Sequence, residues 1–503
     1  MTKRILSLLC CAAMLLGCIS VAAAQDDTER KVLTATVISY AENNPYDEQL
    51  LEAIEDATGY WLDITWVPSV GYSDKINAMI ASDTMTNMIV VTNPSSNVFT
   101  SACVNGGFWA IDDYIDDFPN LTKYMATTVY DKVRVEGGLY GVPRARDLIR
   151  QGIQYRLDWL EEAGLDLPET VEDIDTMVRA FAAREDCKYG LTSGYVSGSS
   201  LPEGLQYTAV YMGAPNGYGL DSNGNFTYYF TTEEYFQAVD LWRSWYADGI
   251  LNADYLELNQ DDGKTISLRR GETGLVFDFC DEVGVDLDAL QKVDADAELW
   301  ATFAIEGPDG EERAVATAGF NGIIAFPKSA NTEETLLMCL DYINNSANTE
   351  CADVFHYGVE GYSYHKISDT EVARTEAEQT VFNSIVDFYS TIAPFIDTTP
   401  TLQMSGEMTN GSELYETIKK IRLSEEMLAY AVGDESVGLV SETATDIGTA
   451  ELMPLMGKIV NNYIMGKITE EEYWEGVAEW LDAGGQDMID EYYVGYCSRY
   501  GIE

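Results

Sequence analysis

Three arginines carry the most distinctive chemistry in this sequence. Arg144, Arg146 and Arg150 lie close together in a chain with 30 Lys and Arg against 84 Asp and Glu. A guanidinium group presents planar donors that can bridge two hydroxyl groups or hold a carboxylate through two hydrogen bonds. The segment therefore indicates a site for a hydroxylated or acidic ligand. The alternative is a structural set of ion pairs with Asp147 and Asp158, which we favour for Arg150 and leave open for the other two.

The histidines and cysteines limit the possible catalysis. Only two histidines are present, His356 and His365, so a three-histidine zinc site is excluded. A catalytic serine or cysteine would have to use one of these two as its general base. We expect core or surface roles for both. With 84 Asp and Glu residues, a close pair of carboxylates is expected by chance, so such a pair is weak evidence for acid–base catalysis. No Cys-x-x-Cys or other metal-like spacing occurs, and we predict neither a metal site nor a cofactor.

The N-terminus predicts export. Lys3 and Arg4 precede an apolar run over residues 5–24, which indicates a secretory signal; a transmembrane anchor is the less favoured alternative. Cleavage after Ala24 satisfies the A-x-A rule, whereas residues 15–18 (LLGC) resemble a lipobox that would place a lipid on Cys18. We favour free secretion slightly. The cysteines beyond the signal are expected to be free thiols: Cys103, Cys187, Cys280, Cys339, Cys351 and Cys497.

The composition excludes two classes of partner. The formal net charge of −54 repels phosphate backbones and anionic lipids, because binding to both depends on Lys and Arg. Apolar residues make up 46% of the chain and aromatic residues 11%, so a chain of 503 residues can bury a large core in two or three domains or lobes. We expect the acidic residues to form a solvated outer surface.

Alternating strands and helices must position the functional residues. Residues 31–39, 61–67 and 87–91 predict strands, and helices are predicted from Asn44-Pro45 and from Asp74. This β-α-β-α-β opening indicates an α/β fold with a parallel sheet and ligands at the carboxyl ends of its strands. Later helices are predicted after the capping residues Thr170, Thr232 and Thr469.

Polar residues follow two of the opening strands. Tyr40 and Asn43 come after the first strand, and Thr92 and Asn93 after the third. Both loops should reach the ligand-binding edge of the sheet. For each residue, an ordinary role as a polar loop residue is an equal alternative.

Several local strings resemble one protein family. They keep their order along nearly the whole mature chain: residues 138–144 (GLYGVPR), 154–160 (QYRLDWL), 163–170 (AGLDLPET), 241–251 (LWRSWYADGIL), 357–361 (YGVEG) with Tyr364, and 464–469 (IMGKIT). Together they resemble the bacterial extracellular solute-binding proteins of carbohydrate ABC transporters, in the large family-1 type common in Gram-positive bacteria. Many relatives carry a calcium-binding loop before a Tyr-Gly-Leu strand; here residues 184–188 (REDCK) lack its ligands, so we predict no calcium there.

The resemblance implies a periplasmic-binding-protein-like fold of type II. Two α/β lobes, each with a mostly parallel sheet, would be joined by crossing strands and close on a ligand between them. After a signal over residues 1–24, the first lobe would comprise residues 25–148 and 317–370. The second lobe would comprise residues 149–316 and 371–503.

The implied ligand is a sugar, which needs aromatic faces and planar polar groups. Trp159 would line the cleft or pack in the core, and Tyr195 is a candidate platform in a polar loop. Asp278, between two phenylalanines, needs a sugar hydroxyl or an arginine as its partner. Four further residues are candidate ligand contacts. Phe320 and Asn321 lie at the lobe crossover, and Glu360 and Tyr364 lie in the family motif. The alternative for Glu360 is helix capping, and Arg156 is expected to pair structurally with Asp158.

The function implied by the resemblance is binding without catalysis. The protein would be a secreted or cell-surface monomer that captures an oligosaccharide and delivers it to an ABC permease. Two alternatives stay open: a secreted carbohydrate-active hydrolase that uses paired carboxylates, and the same fold binding a peptide or another polar solute.

Overall fold

The computed structural model describes residues 30–39, 47–123, 125, 127–196, 199–258, 266–385, 392–394, 403–404 and 410–502. The predicted signal, Tyr40, Asn43 and the predicted cap at Asn44-Pro45 lie outside the described residues. Within the described part of the chain, no helix has both the length and the apolar character required to cross a membrane.

In the part of the chain that the structure describes, the strands form five sheets. In chain order they are β1 (Val32–Ser39), β2 (Trp61–Pro68), β3 (Met88–Val91), β4 (Gly141–Ala145), β5 (Gln151–Arg156), β6 (Tyr189–Leu191), β7 (Tyr218–Leu220), β8 (Phe226–Tyr228), β9 (Thr273–Phe279), β10 (Leu299–Thr302), β11 (Ala304–Glu306), β12 (Glu312–Val315), β13 (Phe320–Ala325), β14 (His365–Lys366), β15 (Glu371–Ala373), β16 (Gln403–Met404) and β17 (Ala431–Val432).

The helices surround the larger sheets. The α-helices are α1 (Glu48–Thr58), α2 (Tyr72–Ser82), α3 (Asn97–Val104), α4 (Pro119–Lys123), α5 (Thr127–Asp131), α6 (Leu157–Glu162), α7 (Val171–Ala182), α8 (Leu205–Tyr211), α9 (Glu233–Ala247), α10 (Val283–Leu290), α11 (Glu333–Ser346), α12 (Thr349–Tyr357), α13 (Glu376–Ile385), α14 (Asn410–Arg422), α15 (Glu425–Ala429), α16 (Met453–Ile464), α17 (Glu470–Trp480) and α18 (Gln486–Tyr500). Single 3-10 turns occupy Ile115–Asp117, Tyr229–Thr231 and Cys280–Glu282, and π-helical segments occupy Ala444–Leu452 and Leu481–Gly485.

The first lobe is built on a five-stranded sheet with the order β2-β1-β3-β13-β4. The predicted parallel opening is confirmed, because β1 pairs in parallel with both β2 and β3. The later strand β13 then inserts antiparallel between β3 and β4, so the complete sheet is mixed. Its core contains Leu33 and Ile89 from the sheet and Leu50 and Ile54 from α1, all fully buried.

Local sequence signals define the ends of several helices. Asp47 caps α1 by accepting from the Leu50 amide at 2.9 Å, and Gly59 ends it with φ 85°. Thr170 and Thr469 cap α7 and α17 as predicted, and each forms a capping box. Thr232 caps α9 through the Tyr235 amide, as predicted.

The second lobe corrects the prediction of a mostly parallel sheet. Its four-stranded sheet has the order β10-β5-β9-β6, and β5 runs antiparallel to both of its neighbours. Only β6 pairs in parallel with β9 within it. The strands β9 and β10 return to the sheet after long excursions, and nothing in the alternation of apolar residues along a strand specifies its direction. The fold remains α/β, with mixed sheets.

Two adjacent chain segments connect the lobes. Residues 146–150 lead from β4 into β5, and residues 316–319 lead from β12 back into β13. Their backbones pair: the Arg146 amide donates to the Gly319 carbonyl at 3.0 Å, and the Thr317 amide donates to the Leu148 carbonyl at 2.8 Å. This paired crossing is the hinge of the two lobes.

Buried charges fasten the hinge to the second lobe. Arg422, 3% exposed at the end of α14, donates to the Asp147 carboxylate at 2.5 Å and to the Ile149 carbonyl at 3.3 Å. Arg150 forms an ion pair with Asp281. Asp147 therefore pairs with Arg422, and not with the neighbouring arginines considered from the sequence.

Core packing extends the first lobe beyond its predicted end. Ile385, Ile392 and Ala393 are buried in the same core as β1 and α11. The prediction assigned residues 371–503 to the second lobe. On this packing we propose that the final crossover follows Ala393 instead of residue 370.

Candidate functional site

A cavity of about 690 Å³ lies between the two lobes. The first lobe contributes the segment after β3 and the start of β13, and the second lobe contributes residues 436–445 and α18. The lining residues are Thr92, Asn93, Pro94, Ser95, Ser96, Asn97, Val98, Ala318, Phe320, Asn321, Gly322, Ser436, Val437, Gly438, Leu439, Val440, Ser441, Ala444, Thr445 and Tyr492.

The insertion of β13 forms the first-lobe wall. Because β13 runs antiparallel to β3, its first residues lie beside the last residues of β3. Phe320 and Asn321 therefore meet Thr92 and Asn93, and four of the predicted site residues line one cavity. Gly322, with φ 73°, permits this approach, because a Cβ atom there would lie 2.5 Å from the Val91 carbonyl oxygen.

Arg144 supports this wall from behind. The side chain is fully buried on β4, and its Nη1 donates to the Asn321 carbonyl oxygen at 2.9 Å. Arg146 is half-buried and donates to the Ala145 carbonyl at 3.0 Å. Neither arginine is among the residues that line the cavity, so the observed contact of Arg144 with the site runs through the backbone of Asn321.

A loop from the second lobe closes the opposite side. We call residues 434–441 the closing loop. Asp434 accepts from the Ser436 amide at 2.8 Å, and Arg499 of α18 donates to the carbonyls of Glu435 and Val437 at 2.9 and 2.6 Å. Burial raises the pKa of the Asp434 carboxyl group, which its hydrogen bonds oppose. These contacts fix the loop to the second lobe.

The far end of the closing loop is fixed in the same way. Glu491 of α18 accepts from the Ser441 hydroxyl at 2.5 Å and from the Thr443 amide at 3.1 Å. The loop is therefore held at both ends by one helix. Because α18 packs in the second lobe, the loop is expected to move with that lobe as a unit.

A second cavity, of about 460 Å³, adjoins the first. The two cavities share Pro94 and Ser95 from the first lobe and residues 438–440 from the closing loop. Lys132 and Arg134 also line the second cavity. Burial lowers the pKa of Lys132, while Glu435 opposes this shift. Arg134 already forms ion pairs with Asp112 and Asp131.

The first cavity is polar but uncharged. Its described lining consists of hydroxyl, amide and apolar side chains and the aromatic rings of Phe320 and Tyr492, without a carboxylate. Burial raises the pKa of Tyr492 to about 12, so its phenol is a neutral donor and acceptor at neutral pH. Such a surface can bind the hydroxyl groups and the apolar faces of a neutral polar ligand.

The other predicted residues lie elsewhere. Trp159 is buried, edge-on to Phe181, with Arg156 and Arg184 over its ring, so it packs in the second-lobe core. Arg156 pairs with Asp158 as predicted. We therefore leave Trp159 out of the site proposed below.

Tyr195 and Asp278 lie on the second lobe. Tyr195 bridges to Pro202, which lines a smaller cavity of about 190 Å³, and the Asp278 carboxylate accepts from the Phe279 amide at 2.6 Å. Neither residue lines the cavity between the lobes.

Glu360 and Tyr364 lie away from the cavity on the first lobe. Glu360 is exposed, with its carboxylate 3.7 Å from the Lys366 amine. Tyr364 is buried beside Tyr357, and burial raises its pKa to about 12. Of the histidines, His365 forms a 2.8 Å contact with Glu378 and His356 is half-buried.

The described residues show no metal-like cluster. No group of three or more His, Cys, Asp or Glu side chains is arranged to hold a metal ion within the described ranges. Within residues 184–188, for which the family resemblance raised the question of a calcium loop, Arg184 forms ion pairs with Asp186 and with Glu162. The six cysteines in the described ranges form no disulfide with one another, and four of them are buried.

Sequence reasoning missed the second-lobe wall. The closing loop and Tyr492 come from the C-terminal part of the chain, and no local motif marks residues 436–441 as ligand-facing. The helical spacing of Tyr492, Tyr496 and Tyr500 was the one available signal, because it places three aromatic rings along one side of α18.

Comparison with known proteins identifies relatives along most of the chain. The family model described as bacterial extracellular solute-binding protein matches residues 49–354. The polygalacturonan/rhamnogalacturonan-binding protein YtcQ of Bacillus subtilis is 30% identical over 465 residues, which cover 92% of this chain and 90% of that protein. The lipoprotein LipO of the same organism is 28% identical over 450 residues, 88% of this chain and 87% of that protein.

A solved structure supports the fold. A protein from Bifidobacterium longum infantis, described as an HMO-binding, ABC-transporter-associated solute-binding protein, superposes with a TM-score of 0.70. The match covers 94% of this chain and 99% of that one at 14% identity. The predicted periplasmic-binding-protein-like architecture is confirmed.

Proposed function

The chain belongs to the bacterial extracellular solute-binding proteins, and from this premise we propose that it captures an oligosaccharide between its lobes and delivers it to an ABC permease. The observation that carries the proposal is the cavity of about 690 Å³, whose walls come from both lobes. A ligand held there contacts both lobes at once and stabilises their closed arrangement. Closure then presents a changed surface to a permease.

The lining of the cavity supports a carbohydrate ligand. Thr92, Asn93 and Asn321 offer hydroxyl and amide groups for paired hydrogen bonds, and the rings of Phe320 and Tyr492 offer apolar faces. A hydrolase with two catalytic carboxylates is the weaker candidate, because none of the described residues lining this cavity is an acid. We therefore propose binding without turnover.

The adjoining cavity supports an acidic sugar as part of the ligand. Lys132 is half-buried and lines the second cavity, and that cavity shares part of its lining with the first. An ammonium group in a partly desolvated site attracts a carboxylate. YtcQ, a relative that covers most of the chain, is a binder of polygalacturonan and rhamnogalacturonan. We propose pectin-type oligosaccharides that contain uronate residues as the ligand class.

The proposed location is the outer face of the cell membrane. The family is extracellular, and the predicted signal ends in a small-residue site with a competing lipobox at Cys18. LipO is named a lipoprotein. We propose a monomer that is either secreted freely or attached through a lipid on Cys18; mass spectrometry of the mature N-terminus distinguishes the two.

A thermal-shift screen with product analysis tests the proposed function. The purified mature protein is mixed with galacturonan, rhamnogalacturonan and neutral galactan oligomers, and each sample is also analysed by chromatography. We expect a rise in Tm with at least one uronate oligomer and no new products. Formation of shorter sugars contradicts the binding-only function, and a rise with galactan alone contradicts the uronate assignment.

A further inference from the structure

We propose that aromatic residues on the C-terminal helix and on the neighbouring strand β8 form an accessory subsite for sugar residues that extend out of the interlobe cavity. This inference rests on the proposed function and adds a second contact region for the same ligand. We call Phe226, Tyr493, Tyr496 and Tyr500 the aromatic platform.

The platform is continuous with the cavity. Tyr492 lines the cavity, and its ring lies 4.6 Å from the ring of Tyr218 on the β7–β8 hairpin. Tyr496 and Tyr500 follow on α18 after four and eight residues, on the same side of the helix. At a rise of about 1.5 Å per residue, Tyr500 lies roughly 12 Å along the helix axis from Tyr492.

The rings of the platform contact one another. Phe226, on β8, has its ring centroid 5.8 Å from that of Tyr493 and 5.0 Å from that of Tyr496. Tyr496 lies 4.7 Å from Tyr500. The hairpin and the helix thus build one connected aromatic surface from two separate parts of the second lobe.

The surface is accessible. Tyr493 is 45% exposed and Tyr500 54% exposed, and the rings of Phe226 and Tyr496 between them are half-buried. Single exposed apolar residues are ordinary in soluble proteins, but a connected exposed patch indicates an interaction site. The three tyrosine rings also carry hydroxyl groups at their edges, so the surface offers both apolar faces and hydrogen-bonding groups.

The platform is held in a fixed position relative to the cavity. The Tyr500 hydroxyl donates to the Glu435 carboxylate at 2.8 Å, and Arg499 donates to two carbonyls of the closing loop. The helix that carries the rings is therefore bound to the loop that closes the cavity. A sugar chain emerging beside Tyr492 would meet rings that are already ordered, which reduces the entropy lost on binding.

Carbohydrate is the occupant that the observations favour over a protein partner. The ring row begins at a residue that lines the cavity, so the same ligand can contact both regions. The C–H face of a sugar packs on an aromatic ring without a charge partner, and the platform rings are uncharged. A permease contact at this face is the competing outcome of the experiment below.

The experiment compares short and long oligomers. Digalacturonate and octagalacturonate, with the matching galactan oligomers, are titrated calorimetrically into wild type, Tyr493→Ala, Tyr496→Ala and the control Tyr114→Ala. Tyr114 is a half-exposed tyrosine on the first lobe. Wild type is expected to bind the long oligomer more tightly. Each platform variant should bind the long oligomer with about tenfold lower affinity than wild type and the short oligomer with nearly the same affinity. The affinities of the control variant should equal those of wild type.

Three outcomes would overturn the inference. Platform variants that bind the long oligomer like wild type would leave the face free for a protein such as the permease. Equal losses of affinity for the short and the long oligomer would indicate a general disturbance of the cavity, which a lowered Tm of the variants would corroborate. If wild type binds neither the galacturonate nor the galactan oligomers, short or long, the proposed ligand class is wrong, and the platform proposal, which depends on it, is wrong as well.

Discussion

Gly438 of the closing loop packs directly against the carbonyl oxygen of Lys132, so the two lobes touch at the rim of both cavities. The approach is so close that a Cβ atom at position 438 would overlap this oxygen. Gly438 also has φ +79°, a conformation that side chains disfavour. The contact joins the first lobe to a loop anchored on the second.

Gly438→Ala is expected to prevent full closure of the lobes. The added methyl group should push Lys132 away and weaken oligosaccharide binding about tenfold or more, because ligand contacts to one lobe are lost. Gly224→Ala is the matched control: its φ is +81° and nothing lies within 4 Å of the added Cβ. Calorimetric affinities equal for the two variants would show that the contact does not govern closure.

Thr92→Val should weaken binding without destabilising the protein. The substitution keeps the shape of the side chain and removes one hydroxyl group from the cavity wall. Loss of a single neutral hydrogen bond should lower affinity roughly 3- to 10-fold. Thr417→Val, on the exposed surface of α14, provides the control. A Thr92→Val protein with wild-type affinity would place the ligand away from this wall.

Arg422 and Asp147 should be energetically coupled at the hinge. Arg422→Met leaves the Asp147 carboxylate without its buried partner, and we expect the free energy of unfolding to fall by about 3–5 kcal/mol in urea titrations. Adding Asp147→Asn should recover part of this loss. Strict additivity of the two single effects would refute the coupling.

Asp286 should make stability depend on pH. Burial raises the pKa of this carboxyl group to about 6, with Asp278 and Glu282 adding to the shift and Arg269 at 2.7 Å opposing it. Since the folded state holds the proton more tightly than the unfolded chain, wild type should lose stability as pH rises from about 4 to 6.

The variant Asp286→Asn isolates that effect. Relative to the variant, wild type should lose about 2–3 kcal/mol of unfolding free energy across this pH window. Parallel denaturation series at several pH values measure the difference. The raised pKa of Asp286 would be contradicted if the difference in unfolding free energy between wild type and variant did not change with pH, or if wild type gained stability relative to the variant as pH rose.

Local signals in the sequence were sufficient for many elements. The caps Thr170, Thr232 and Thr469 act within one helical turn, so their positions follow directly from short strings. The strand-end residues Thr92 and Asn93 line the cavity between the lobes, and their contact with a ligand stays a prediction. Tyr40 and Asn43 lie outside the described residues and stay predictions.

Tertiary packing determined what the sequence could not show. Arg144 resembled a ligand-facing cation, but strand β4 buries it behind Asn321. The aromatic ring of Trp159 suited a sugar platform, and two arginines cover it in the core. The closing loop is held at the cavity by α18 and by the backbone of Tyr218, and contacts between such distant segments leave no mark in local spacing.

The central claim is that the carbohydrate occupies the cavity between the lobes, and blocking that cavity tests it most directly. Asn93 is exposed in the cavity wall, so Asn93→Trp should fill the space without disturbing a core; Asn410→Trp, at the exposed start of α14, is the control. The measurement is calorimetric titration with the oligomer that gives the largest thermal shift for wild type.

We predict one ligand per wild-type and control protein, and no measurable binding to Asn93→Trp at unchanged Tm. Binding of the same oligomer to Asn93→Trp with wild-type affinity would contradict the claim, because the ligand would then lie outside the cavity.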